Sequence, residues 1–573
     1  MLPNTHMLPQ PQGKVTMGNA GPLGRWTGPA AFLFGAVVFG LAYCQAPLYY
    51  SNQNQYFLHG LADAGLGHLR EDWLANTTDP TPVFNALVAA TYRHLPEFTF
   101  HIYYLLLFGV YFAALMSLFG SLAGARSTPR LRLVFAALVL LVHSALVRWE
   151  SYRVLGWDYP WYLQAGVAGQ YVLGAMWQPS TFGVFLVLAI ALFVRGRPYW
   201  AAVSAALAAT VHSTYLLGAG VLTAGFMAAL WRAGRGREAL RLGAWALVLV
   251  LPALAYGLVT FRPTSADVFA EAQHILVHVR IPHHCIPRLW CDHIAVGQIA
   301  WVLLAVALTW RTRLFPVLGV AVLLAAGLTL IQVATANDTL ALLFPWRVSA
   351  VLVPVATAVV LARLVLAGAR WLDRPAVAAA SAVLLAGLVA AGLVLTWTRQ
   401  GFQTDDAELP LLEDVKANKA PGDVYLLPVT VPDLAKTTRG SLSSDFKPLA
   451  AKKTDTRIIP VDLQRFRLYT GAAIFVDFKS IPYKDTDVLE WYARLRRNQQ
   501  FYARLTAAAV TPGDGEGLQL RRGFSAGLLA EVRAELRRHG ITHIVTQAHV
   551  ELPGDGLRLV HADPAYRVYR IEP

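Results

Sequence analysis

Asn52-Gln53-Asn54-Gln55-Tyr56, followed shortly by Arg70-Glu71-Asp72-Trp73, is a polar stretch set between two apolar runs, 29–46 and 99–123. Each run approaches or exceeds the roughly 20 residues that carry a helix across a bilayer. Amides, acids and aromatics crowded against a membrane surface are costly unless they are satisfied or used. The stretch therefore reads as the first loop of a polytopic protein and as the place where its chemistry is to be sought.

Composition agrees with this reading. Of 573 residues, 55% are hydrophobic and only 15% charged, against roughly 25% charged in an average soluble domain. The net charge of +14 comes largely from arginines in short loops between apolar runs. That is the pattern of the positive-inside rule and not of a nucleic-acid surface, so nucleic acid is not an expected partner.

Working outward along the chain, apolar segments fall near 29–46, 99–123, 132–148, 180–195, 199–214, 215–230, 242–260, 294–310, 314–334, 346–368 and 376–397. These predict about eleven spans. Arg126, Arg130 and Arg132, then Arg195 and Arg197, Arg232 to Arg241, Arg311 and Arg313, and Arg370 and Arg374 all fall on one side, that of the N-terminus. The N-terminus is then cytoplasmic. The loops 47–98 and 261–293 and everything after about 400 face outward. Tyr152 to Trp177 is too polar and aromatic for a simple span and reads as interfacial or re-entrant.

Lys14 and Arg25 precede the first apolar run, but Tyr43 stands where a cleavage site or lipoprotein cysteine needs a small residue. The run reads as an uncleaved anchor, with residues 1–28 a disordered cytoplasmic tail. Cys285 and Cys291 share an outward loop, where a disulfide or two free thiols are the alternatives.

Beyond residue 400 the pattern changes. Asp423-Val424-Tyr425-Leu426-Leu427, Ala473 to Phe478, Ile541 to Val545 and Val568-Tyr569-Arg570-Ile571 read as short strands. Thr486 to Leu505 and Ser525 to His539 read as helices, the second stopped by Gly540. The expected fold is thus a polytopic α-helical membrane domain over 29–397, with a C-terminal extracytoplasmic α/β domain over 398–573.

Three clusters carry candidate chemistry. In the first loop, Glu71 and Asp72 are adjacent, about 100° apart on a helix, so one of them at most faces a substrate. A carboxylate there can act as general base or hold a cation, or merely solvate an interfacial helix. In the second loop, His274, His278, Arg280, His283, His284, Arg288 and His293 fall close together. Arginine and histidine suit a phosphate. A zinc site is a competing reading, since His274 and His278 share a helical face and His283, His284, Cys285, Cys291 and His293 add donors, although no His-Glu-x-x-His or Cys-x-x-Cys spacing is present; an inert loop is the third.

The third cluster is Phe344-Pro345-Trp346-Arg347, an arginine at the mouth of an apolar helix that needs a lipid phosphate or an acid as partner. Asn337-Asp338 is a candidate partner, and a snorkelling anchor is the alternative. His212, Gln170-Tyr171 and Gln178-Pro179-Ser180 would line the same cavity. Arg467 to Asp485 in the tail reads as an acceptor-binding loop or as the seam by which the domain docks. No Walker, dinucleotide or Gly-x-Ser-x-Gly pattern occurs.

The arrangement resembles the GT-C superfamily of membrane glycosyltransferases. Their common first-loop motif is an Asp-Glu pair, a Tyr at the spacing of Tyr56, then a Gly and a polar residue with Trp before a Pro. Here Asn52-Gln53 occupy the acidic positions, and Tyr56, Gly67, Asp72, Trp73 and Pro80 follow in order. The resemblance implies a polyprenyl-phosphate sugar donor, a glycan, lipid or protein acceptor, a bacterial-type inner membrane, and a magnesium or manganese ion as a candidate cofactor. It also implies donor-phosphate contacts from a late-loop arginine such as Arg347. An amide cannot take a proton at neutral pH. Either Asp72 or Glu71 is the base, with Asn52, Gln53, Tyr56, His212, Arg280, His283, His284, Arg288 and Arg347 binding substrate, or the chain binds a lipid-linked sugar without transferring it. A transporter is disfavoured by the lack of inverted repeats.

Overall fold

Long apolar helices with bare outer faces set the architecture. In the computed structural model, which describes residues 28–399, 406–432, 434, 463–509, 518–554 and 556–572, the helix Gly236–Thr260 leaves Leu247, Val248, Leu251, Leu258 and Val259 exposed along its length. Such a surface on a helix of this length suits the lipid tails of a bilayer. At the opposite extreme, Ser349–Ala367 buries Val351, Leu352, Val353, Val355 and Ala356 completely and runs through the centre of the bundle.

The expectation of about eleven spans is corrected. Among the described residues six helices are long and apolar enough to cross a membrane, within Thr99–Arg126, Ser213–Arg232, Gly236–Thr260, Leu314–Thr335, Asp338–Ala367 and Pro375–Trp397. A seventh crossing is formed if Pro129–His143 and Ala145–Leu155, bent by 48°, act as one. The other four predicted segments are helical but short: Pro29–Tyr43, Pro179–Val194, Pro198–Val211 and His293–Leu308. At 1.5 Å per residue such helices fall short of a hydrocarbon core of roughly 30 Å. Apolar composition located each of these eleven segments as helical, but it overcounted complete crossings. The chain is a multi-pass helical membrane protein.

Past the bend at His143, the helix Ala145–Leu155 is tied to the segment that follows it by an ion pair that no local pattern announces. Arg148 reaches Asp158 at 2.9 Å with both side chains sealed from solvent, and its guanidinium lies 4.4 Å from the Trp161 ring centroid. Between Leu155 and Trp177 the chain forms only the single-turn helix Tyr159–Tyr162 and the turn Val167–Gly169, as its polarity suggested. It is tolerated because its polar groups are bonded inside protein: Ala46 N donates to Ala175 O, Tyr104 Oη to Gly174 O, and Gln298 Nε2 to Ala165 O. Trp177 anchors it among Phe57, Phe84 and Phe100.

The C-terminal part is a small α/β unit. Its five strands, β1 (Val424–Leu426), β2 (Ala473–Ile474), β3 (His543–Gln547), β4 (Leu557–Ala562) and β5 (Tyr566–Ile571), lie in the order β2-β1-β3-β5-β4. β1 pairs in parallel with β2 and β3, while β5 is antiparallel to both β3 and β4. Four of the strands match sequence expectation. β4 was not anticipated because Leu557-Arg558-Leu559-Val560-His561 is largely exposed and lacks an apolar alternation. The helix Asp485–Ala508 packs Val488, Trp491, Leu495 and Phe501 into the core beneath the sheet. The proposed tail at 1–28 lies outside the described residues except for Gly28.

Candidate functional site

Both carboxylates singled out in the first loop serve the joint between the two parts of the chain. Asp72 follows the turn Leu69–Glu71; its Oδ1 accepts from Leu74 N, while its Oδ2 accepts from Ile474 N and Arg467 Nε. Arg467 also binds Asp477. With no exposed surface, and with Ala75 N as a further donor to Oδ1, Asp72 is built to dock the sheet. Glu71 is exposed and accepts from Gly422 N at 2.6 Å. These contacts give both residues a docking role that the expectation of a base at Asp72 or Glu71 did not include.

The amides are likewise committed. Gln53 Oε1 accepts from Tyr49 N and its Nε2 donates to Trp177 O, while Asn52 donates to Tyr171 Oη. These contacts fix the loop against the irregular 156–177 segment. They also test the divalent cation that the resemblance suggested: with amides in the acidic positions and Asp72 and Glu71 turned into the joint, the loop does not fit magnesium or manganese.

The cationic residues do converge. Arg347 Nη2 lies 3.1 Å from His212 Nε2, and its guanidinium sits 5.3 Å from the Tyr215 ring centroid. Because arginine only donates, His212 Nε2 must accept, which places the imidazole proton on Nδ1. That nitrogen is buried and has no hydrogen-bond partner. Tyr56 meets His212 edge-on at 5.8 Å and, on its other side, lies beside Tyr483 and Arg280.

Arg280 comes from the second loop, at the end of the wide turn Ile275–Arg280. It donates through Nη2 to Lys479 O and stacks on Phe478 at 5.2 Å, yet its buried Nε is unpartnered. Next to it, His283 and His284 lie with ring centroids 4.0 Å apart. His284 Nδ1 donates to Ala168 O at 2.5 Å, so its basic nitrogen is Nε2. Burial, together with Arg347, Arg280 and Lys479, pushes His284 down to about 4. Burial, then His284, Arg280 and Lys479, hold His283 well below the usual imidazole range. Its Nδ1 is a third buried nitrogen without a partner.

Several predicted members stand apart: His274 and His278 face Asp338, and His293 lies against Trp157. Arg288 is exposed, because the Pro287–Trp290 turn points it away. Asp338 does not pair with Arg347; it binds His278 at 3.0 Å. Cys285 and Cys291 are free thiols, one buried and one exposed.

The tail segment 467–484 turns out to be a docking seam that also completes the cluster. Ser480 Oγ donates to Asn54 O, Gln55 Nε2 donates to Tyr483 Oη at 2.6 Å, and Lys479 adds a cation. Sequence reading did not single out Tyr215 as a site residue, although it was visible as the end of His212-Ser213-Thr214-Tyr215; Lys479 was read as part of a candidate acceptor-binding loop, and only the docking brings it beside the second loop. Narrow clefts of about 10 Å³ flank the cluster, one against Tyr215, Phe344 and Arg347, the other against Gln55, Tyr56 and Tyr483. Each holds no more than about one water, so a larger ligand requires the seam or the second loop to move.

A family profile described as Domain of unknown function (DUF6798) matches residues 450–497, a stretch that contains Arg467, Lys479 and Tyr483. No curated protein matches the chain.

Proposed function

We propose that this chain is a membrane glycosyltransferase of GT-C type, which takes a sugar from a polyprenyl-phosphate donor on the outer face of a bacterial-type inner membrane. The observation that carries the reading is a closed group of cations with orphaned donors: Arg280, Arg347 and Lys479 converge on neutral His212, His283 and His284, and Arg280 Nε, His212 Nδ1 and His283 Nδ1 are buried without partners. An unpaired buried polar group costs about 1–3 kcal/mol, and a phosphate monoanion or dianion supplies the missing acceptors. The placement at the helix ends, beneath the docked α/β domain, suits a ligand whose tail stays in lipid.

In the transfer, the acceptor oxygen bonds the anomeric carbon as the bond from that carbon to the phosphate oxygen breaks. The phosphate leaves with the electron pair, stabilised between Arg280 and Arg347. With Asp72 and Glu71 engaged in docking, the proton of the acceptor hydroxyl goes to a neutral imidazole, for which His283 is the candidate. Burial first, and then the neighbouring cations, keep this ring from protonating; phosphate binding offsets the cations and so raises its basicity when the donor arrives.

A second reading, a carrier that binds the lipid-linked sugar without transferring it, is favoured by the amides at 52–53 and by the engagement of both loop acids. Purified protein given a panel of polyprenyl-phosphate sugars separates the two. Turnover lost in His283→Gln with donor binding retained supports transfer; binding without turnover in every variant supports the carrier. Wild-type protein that binds no donor would sink both.

A further inference from the structure

Outside the cationic cluster, the same second loop carries an unrelated set of donors. His274 ends the helix Ala266–His274, and His278 lies four residues on, in the wide turn Ile275–Arg280. Four residues return the chain to nearly the same face, and the rings sit with centroids 4.4 Å apart. Asp338 approaches from the start of another short helix, Asp338–Leu342. Its Oδ1 is 3.0 Å from His278 Nε2 and its Oδ2 3.8 Å from His274 Nδ1. One ligand atom from each of the three lies within 4.8 Å of the other two.

We propose that His274, His278 and Asp338 form a binding site for a first-row transition metal ion, zinc above all. Tetrahedral zinc with bonds of roughly 2.0–2.1 Å holds its ligand atoms about 3.4 Å apart, a spacing these donors bracket before any rotamer adjusts. Two imidazoles and one carboxylate are the ligand types zinc takes, and a pair of histidines four apart on one face is the usual helical half of such sites. The oxygen-rich shell required by magnesium or calcium is missing from this set. The exposure of both histidines leaves the fourth position to water or to a group from outside.

The site spans two separate segments. Thr339 Oγ1 donates to Gln273 Oε1 at 2.9 Å beside it, and Val277, Cys285 and Ala341 pack beneath. One strand of this junction leads within two residues of His278 to Arg280; the other leads from Asp338 to Phe344 and Arg347. A bound ion therefore cross-links the two segments that present the cationic cluster, and it acts as a structural clamp with an open coordination position. Metal binding itself does not depend on what that cluster binds.

The test uses the full-length protein in detergent, stripped with chelator and titrated with Zn²⁺ and separately with Co²⁺. One ion per chain is expected, with a visible Co²⁺ spectrum of nitrogen and oxygen ligation and a rise in melting temperature that chelator reverses. His278→Ala and Asp338→Asn should each weaken affinity tenfold or more, while Cys291→Ser and His293→Ala leave it unchanged. Metal retained at wild-type affinity in both ligand variants overturns the proposal, as does a folded wild type that binds no stoichiometric ion. A sulfur-to-cobalt charge-transfer band in the wild type overturns it too, by placing the ion on Cys285 or Cys291, and this reading does not require the variants to fold.

Discussion

Arg467 of the C-terminal domain and Asp72 of the first loop form an ion pair at 2.7 Å across 395 residues of sequence, with both side chains sealed from solvent. Asp477 shares the guanidinium, and the backbone N–H groups of Leu74 and Ile474 share the carboxylate. A buried charge that keeps all its partners is stable, but one deprived of its counter-ion is not.

Arg467→Met should therefore destabilise the protein by about 3–5 kcal/mol, because it strands two carboxylates. Asp72→Asn should cost less, since Arg467 keeps Asp477. Unfolding curves, with protease sensitivity of the joint as a second readout, check both. An Asp72→Asn protein that melts like wild type and binds donor but has lost transfer would return Asp72 to the chemistry.

Two glycines make the same joint steric. Gly67 has φ +51° and Gly471 φ +69°, and a Cβ on Gly67 would lie 2.8 Å from Gly471 Cα, while His68 N donates to Gly471 O at 2.7 Å. Both positions lie in the left-handed region, where a side chain adds about 1 kcal/mol of strain before any clash. Gly67→Ala should loosen the domain, lowering the melting temperature and exposing the joint to protease, whereas Ala at the open position Gly65, also at positive φ, should cost only the strain. Equal effects at the two sites would mean that the close approach is absent in solution.

The helices were legible because apolar runs declare themselves by composition, and the parallel strands because Val424-Tyr425-Leu426 and His543 to Val545 are buried on both faces. How many helices cross completely was not legible, since Pro198–Val211 is as apolar as a span but too short, and length is fixed by where Arg197 and His212 end it. Of the residues the fold brings together, Arg280, His283, His284, His212 and Arg347 were singled out from residue type near helix ends, and Tyr56 from the spacing of the first-loop motif. The docking contact of Asp72 was not legible, because its partner, Arg467, is distant in sequence and no local pattern links them. Its acid is polar in the sequence and structural in the fold for that reason.

Arg347 should matter as a fork and not as a charge. Its Nη2 is spent on His212, leaving the rest of the guanidinium to meet a phosphate. Arg347→Gln should weaken binding of a polyprenyl phosphate by about tenfold to a hundredfold, the range of a charge-assisted hydrogen bond. Arg347→Lys should recover little of this, because one ammonium cannot hold His212 and the ligand in the same plane. Full rescue by lysine, in a direct binding titration, would show that charge alone is read.

The buried histidines set a pH dependence whose sign can be worked out. Burial and the neighbouring Arg347, Arg280 and Lys479 hold His284 at about 4, against 6.5 for the unfolded chain. Between these values the unfolded state binds more protons, so stability is fully present above about 6.5 and falls as pH drops toward about 4. His283 shifts in the same direction and adds to the loss. A phosphate bound among the same cations favours the protonated rings, so its binding takes up protons and strengthens as pH falls through the window. Melting temperature measured from pH 7.5 to 5 should decline in the free protein and decline less with a polyprenyl phosphate present. His284→Gln should flatten the first slope. A ligand-induced shift that shrinks toward low pH would place the phosphate away from these histidines.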